Sequence, residues 1–133
     1  MIEKSDSYTQ KIEKAVEKIK ARGGERIRFI ILYGSGCKNC QREGSDIDIC
    51  VYYDDESQAS NFRLKVLSDL FEDIYDIKIF QQLPVYVRME VLKGEILYCN
   101  DRRFLYDKAH ETIKEFDAFK HRYYDYIGAE AIR

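Results

Sequence analysis

The stretch that most constrains this chain runs from Ile27 to Val51. An apolar run, Ile27 to Leu32, leads through Tyr33 directly into Gly34-Ser35. After Gly36 to Ser45 comes Asp46-Ile47-Asp48, followed by a second apolar run through Val51. Strand, turn and strand is the reading that this order of residues favours. Side chains alternate between the faces of a strand, so Asp46 and Asp48 point the same way, about 7 Å apart along the chain. Ile47, Ile49 and Val51 point the other way, into a core.

Two carboxylates on one face repel each other unless a cation neutralises them. Hard oxygen ligands of this kind suit Mg²⁺, which takes one or two protein carboxylates and completes its shell with water and substrate phosphates. Gly34 allows the backbone to approach a ligand, consecutive turn amides form an anion-binding nest, and the Ser35 hydroxyl adds a donor. A phosphate cradle facing a carboxylate pair is equipment for phosphoryl or nucleotidyl transfer, where positioning and charge neutralisation dominate catalysis. Taken singly, an Asp-x-Asp at a strand end or a Gly-Ser turn is more often structural; their order along the chain gives them weight.

A third carboxylate is needed if two metal ions are to be bridged. Asp76 is the candidate: in Tyr75-Asp76-Ile77-Lys78-Ile79 the apolar residues take one face and Asp76 and Lys78 the other. Asp73 is its rival, placed at the end of a helix rather than in the strand.

Gly34-Ser35 followed by Asp46-x-Asp48 resembles the signature of the minimal nucleotidyltransferases of the polymerase-β-like superfamily, and in particular the antitoxin partner in HEPN/MNT toxin–antitoxin modules. The resemblance implies an α/β (α+β) fold, a mixed sheet flanked by helices. It implies Asp46, Asp48 and Asp76 as catalytic residues and ligands of two Mg²⁺ ions. Gly34, Ser35, Lys38 and Ser45 would bind the nucleotide, with ATP as co-substrate. Lys38 falls where the family often carries Arg, and Asn39 where it usually carries Gly; Cys37 and Cys40 also depart from the common pattern. The implied acceptor is a tyrosine of a HEPN ribonuclease, a toxin that AMP transfer would silence. Two alternatives stand beside this: a binding-only antitoxin with a vestigial site, and a small-molecule nucleotidyltransferase, for which 133 residues leave little room.

Composition narrows the partners. The net charge is −2, from 22 basic and 24 acidic residues, a poor match to a protein that holds long nucleic acid by its backbone. Apolar stretches reach only about five residues, too short for a membrane span or a signal-peptide core, so a cytoplasmic protein without membrane contact is expected. The four cysteines are too few and scattered for a disulfide scaffold. Cys37-x-x-Cys40 has knuckle spacing, but a structural zinc wants four ligands and no second pair exists.

Periodicity supplies the remaining elements of a single expected domain spanning 1–133. Ser7-Tyr8-Thr9-Gln10 reads as a capping box for a helix over 8–22, with Tyr8, Ile12, Ala15, Val16 and Ile19 in one stripe and Gly23-Gly24 ending it. Strands are expected over 26–33, 47–53 and 75–80. Ser60 is taken to start a second helix that buries Leu64, Leu67, Leu70 and Phe71. Pro84 favours a short helix ended by Gly94, although Val85, Val87, Met89 and Val91 also alternate as a strand would, and a strand covers 95–99. Asn100-Asp101 caps the longest helix, 102–127, with Leu105, Ala109, Ile113, Phe116, Phe119, Tyr123 and Ile127 along one side. His110 and His121 read as surface or packing residues of that helix, and Tyr123, Tyr124 and Tyr126 as part of a packing face.

Overall fold

The computed structural model describes residues 4–34 and 46–127. Ser35, Lys38 and Ser45 of the expected phosphate loop, with Cys37, Asn39 and Cys40, lie outside the described residues.

The strand β1 (Ile27–Tyr33) carries apolar side chains on both faces because it is interior to the sheet. It pairs antiparallel with β2 (Ile47–Tyr53) on one side and with β4 (Glu95–Cys99) on the other. β2 in turn pairs parallel with β3 (Tyr75–Ile79), giving the order β3-β2-β1-β4 among the described residues. The mixed sheet and its three site-bearing strands match the expected α/β architecture. Arg26 belongs to a short 3₁₀ turn before β1, and Phe80 opens another after β3, so both strands are one residue shorter than expected.

Alternation divides the core into two layers. Ile30, Leu32, Ile47, Ile49, Val51, Ile77 and Ile79 pack beneath the helices α1 (Lys4–Gly23) and α2 (Glu56–Leu70). Phe29, Ile31, Cys50 and Phe80 face the other side, toward α3 (Val85–Leu92) and α4 (Arg102–Ile127). There Phe29 meets Phe80 edge-on at 5.2 Å and Tyr52 meets Phe104 edge-on at 4.9 Å, arrangements that aromatic quadrupoles favour.

Four local expectations are corrected. The capping box does not start α1: Ser7 to Gln10 lie inside a helix that already runs from Lys4. Once the apolar stripe has nucleated a helix, each further residue adds a hydrogen bond, so a local start signal is easily overrun. Likewise α2 begins at Glu56, not after Ser60, and buries Ala59, Phe62, Val66 and Leu70. Leu64 is 58% exposed and Phe71 90% exposed. Both sides of this helix carry apolar residues, and the stacking of Phe62 on Tyr53, with centroids 4.2 Å apart, goes with the observed phase. Pro84 is the N-cap of α3 rather than a first-turn residue. Finally, α4 does not bury its whole stripe. Leu105 and Thr112 are buried while Ile113 and Phe119 are exposed. At 26 residues α4 is about 39 Å long against about 12 Å for the 8 residues of α3, so it outruns its cover.

The remaining caps follow the sequence. Gly24 takes φ +55° just past α1, and the Asp101 carboxylate accepts hydrogen bonds from the backbone N–H groups of Arg103 and Phe104 at 3.0 and 3.3 Å. No helix among the described residues is long and apolar enough to cross a membrane.

Phe71 ends α2 in the left-handed region, φ 56°, where a side chain with a Cβ is strained. Phe71→Gly is therefore expected to stabilise the protein by about 0.5–1 kcal/mol, and Phe71→Ala to change stability by less than about 0.5 kcal/mol, in urea unfolding. A loss of about 3–5 kcal/mol in Phe71→Ala, the signature of a buried Phe, would contradict this placement.

Candidate active site

Three adjacent strand ends bring the site together. Gly34 follows β1 with φ +82°, a conformation open to glycine. Tyr33 is the register partner of Asp48 on β2, and Asp48 is the partner of Asp76 on β3. Neighbouring strands lie about 4.7–4.9 Å apart, so Asp48 and Asp76 are side by side, well inside the reach that a pair of bridged metals requires. The Ile47 N–H donates to the carbonyl of Ile74 at 2.7 Å, fixing the entry of β2 against that of β3.

The backbone at Gly34 and the Asp48 carboxylate are in close approach. A Cβ built on Gly34 would run into Asp48 Oδ2 and stand 3.0 Å from its Cγ. Glycine is required here twice over, by its φ and by its neighbour. Asp46, just before β2, is exposed. Asp73, the rival of Asp76, is exposed in the turn before β3 and outside the ladder.

The electrostatics reflect the crowding. Asp48 is held above the ordinary carboxylate range by partial burial, then by the charge of Asp76, a hydrogen bond with Asp76 and the charge of Asp46; Lys78 pulls the other way. Asp76 is itself engaged: Lys78 Nζ donates to both its oxygens, at 3.0 and 3.1 Å. Among the described residues no three His, Cys, Asp or Glu side chains stand ready as a metal cage. The donor chemistry nonetheless fits Mg²⁺: oxygen ligands only, a carboxylate pair whose repulsion a cation relieves, and no soft ligand among the three.

Three groups in or beside the site were not singled out from the sequence. The Tyr33 hydroxyl is pushed far up by burial and then by its neighbours Cys50, Asp48 and Asp76, so it stays a neutral phenol beside the carboxylates. Tyr8 of α1 is raised too, by burial and then by Asp48. Lys78, recognised only as sharing the carboxylate face, is a direct partner of Asp76. No periodicity signals these roles, which come from strand register. Cys50, the register partner of Lys78, is buried and its thiol is pushed far up by that burial, leaving it inert. His110 is exposed, as the sequence suggested.

Residues 10–103, from within α1 to the first turn of α4, match the family described as Polymerase beta, Nucleotidyltransferase. The chain belongs to that nucleotidyltransferase family. A Methanocaldococcus jannaschii protein named as a candidate protein adenylyltransferase, MJ1547, is 43% identical to it over 72 residues, 54% of this chain and 55% of that protein. The match thus spans about half the length of each. Among solved structures, the nucleotidyltransferase resembles a chain of the complex of a tri-AMPylated Shewanella oneidensis HEPN toxin with its MNT antitoxin. That likeness has TM-score 0.67 and 19% identity over 94% of this chain and 98% of that one. It also resembles a chain of a toxin–antitoxin crystal structure with AMP-PNP, with TM-score 0.65 and 21% identity over 91% and 98% of the two chains. At these identities the likeness is one of fold.

The crowding of Asp48 has a consequence for stability. Its folded carboxyl holds a proton to higher pH than the unfolded chain does, so ionised Asp48 subtracts from stability above both values. That subtraction disappears as pH falls through the folded and then the unfolded value, about 3.9. In thermal unfolding with chelator present, Asp48→Asn should melt higher than wild type at pH 7, and the gap should close by about pH 4. An equal or lower Tm at pH 7 would contradict the repulsion.

Proposed function

We propose that this nucleotidyltransferase transfers AMP from ATP to a hydroxyl of a protein partner, a tyrosine of a HEPN-type ribonuclease toxin, and that it acts as the antitoxin of that pair in the cytoplasm. The observation that carries the reading is the line Gly34–Asp48–Asp76 across three strand ends. It joins a close-approach glycine to two carboxylates in register. The names carried by the M. jannaschii relative and by the toxin–antitoxin structures of the same fold support the acceptor and the nucleotide.

In this reading Asp46, Asp48 and Asp76 would hold two Mg²⁺ ions, which neutralise the triphosphate and the charge that develops on the attacking and leaving oxygens. The residues of the chain do the rest. Gly34, with Ser35, Lys38 and Ser45, receives the β- and γ-phosphates. The acceptor oxygen attacks the α-phosphorus in line, the bond from that phosphorus to the bridging oxygen of the β-phosphate breaks, and pyrophosphate leaves with the bonding pair. Asp76 accepts the proton of the acceptor hydroxyl. Tyr33, the register partner of Asp48, is held neutral and does not compete as a base.

A partner protein suits a slightly acidic chain better than RNA does. The exposed side chains Ile113 and Phe119 of α4 offer anchors for such a partner.

The test is intact-mass spectrometry of a HEPN-type protein from the same source, after incubation with this chain, ATP and Mg²⁺. One or more AMP additions are expected. Asp48→Asn should lower the rate by at least about 10²-fold, and Gly34→Ala, whose Cβ displaces the Asp48 carboxylate, by at least about tenfold. A tight complex with no mass change under any triphosphate would favour a binding-only antitoxin instead.

A further inference from the structure

The carboxylate face of the sheet already contains a cation. Alternation along β3 puts Asp76 and Lys78 on one side, and Lys78 Nζ lies 3.0 and 3.1 Å from the two oxygens of Asp76. The ammonium therefore occupies both acceptor atoms of the residue that is to serve as metal ligand and base. A metal ion and an ammonium cannot share those lone pairs without placing two cations on one carboxylate, which Coulomb repulsion opposes. Metal binding at Asp76 is thus in competition with Lys78.

Where Lys78 can go is limited by what the face offers. Its register partner on β2 is Cys50, buried and neutral, and the next residue of β2 on that face is the aromatic Tyr52. Asp48, on the other side of Cys50, is the carboxylate that the metal also needs. Among the described residues, a released ammonium on this face is left without a protein anion to spare. The one anion that the reaction brings is the triphosphate.

Building on the nucleotidyltransferase reading above, we propose that Lys78 is a positioning residue that holds Asp76 closed in the nucleotide-free protein and exchanges it for the nucleotide's phosphates when ATP binds. Metal and nucleotide then enter together, because each removes an obstacle to the other: the phosphates draw off the ammonium, and its departure frees Asp76. The device keeps the carboxylates from capturing divalent ions when no nucleotide is present. Lys78 is 39% and Asp76 40% exposed in their side chains, so the pair is solvated enough to open and its substitution leaves the core untouched.

The experiment separates the two ligands. Mn²⁺ binding without nucleotide is followed by electron paramagnetic resonance, and binding of an ATP analogue with a non-hydrolysable α,β bond is followed by calorimetry in chelator without metal. Lys78→Met should bind Mn²⁺ about fivefold more tightly than wild type and the analogue about fivefold more weakly, the scale of a half-exposed ion pair. Lys78→Gln should do the same, and Lys78→Arg, which keeps the charge, should stay near wild type in both. Opposite shifts are the signature, since a merely structural change would weaken both ligands together. Unchanged or weakened Mn²⁺ binding in folded Lys78→Met and Lys78→Gln would overturn the role of Lys78, while loss of Mn²⁺ in Asp48→Asn would leave the metal site standing. No Mn²⁺ binding by wild type or by either neutral variant would overturn the metal site and this inference with it.

Discussion

The parallel register of β2 against β3 is the constraint on which the rest of this structure depends. It sets Asp48 opposite Asp76 and, two residues on, Cys50 opposite Lys78. Two carboxylates in adjacent strands repel, and among the described residues Lys78 is the cation that engages one of them directly. The force that keeps them there acts from the opposite face. Ile47, Ile49, Val51, Ile77 and Ile79 are all fully or nearly fully buried under α1 and α2. A slip of one residue in either strand would turn that whole set toward the other layer. Apolar burial thus imposes a polar juxtaposition that the carboxylates would not adopt alone.

The same balance gives the site its chemistry. A carboxylate held near another is a poor place for a proton to leave and a good place for a divalent ion to arrive. Gly34 adds to this by bringing backbone against Asp48 with no Cβ between them. Lys78 moderates the repulsion until a more highly charged ligand displaces it. Carboxylates crowded in this way cost the free protein stability, a familiar tension between folding and function.

The two layers have different freedom. The α1–α2 side is a closed apolar layer beneath the sheet. The α3–α4 side is built around Phe29, Tyr52, Phe80 and Phe104 at one end and opens along α4, where Tyr86 stacks on Phe119 at 6.3 Å beyond the sheet. Asp48, Asp76 and Lys78, on the face opposite Ile49 and Ile77, lie on this second side together with α4.

Much of the fold was legible in the sequence, and for definite reasons. The strands near 27–33, 47–53 and 75–79 carry alternating or continuous apolar residues bounded by turn formers, and period two leaves little choice of which side chains are buried. Placing Asp48 on the face opposite Ile47 and Ile49, and Asp76 and Lys78 on one face of another strand, needs only that alternation; Asp46 lies just before β2, outside the ladder. The sequence could not decide the phase of α2, because Leu64 and Phe62 compete for the core and only packing against Tyr53 and α1 separates them. It could not show that α4 outruns its support, because a stripe records what could be buried and not whether a neighbour is there. Nor could it find Tyr33, or the grip of Lys78 on Asp76. Those follow from which strands pair and in what register, a long-range matter that the local pattern does not contain.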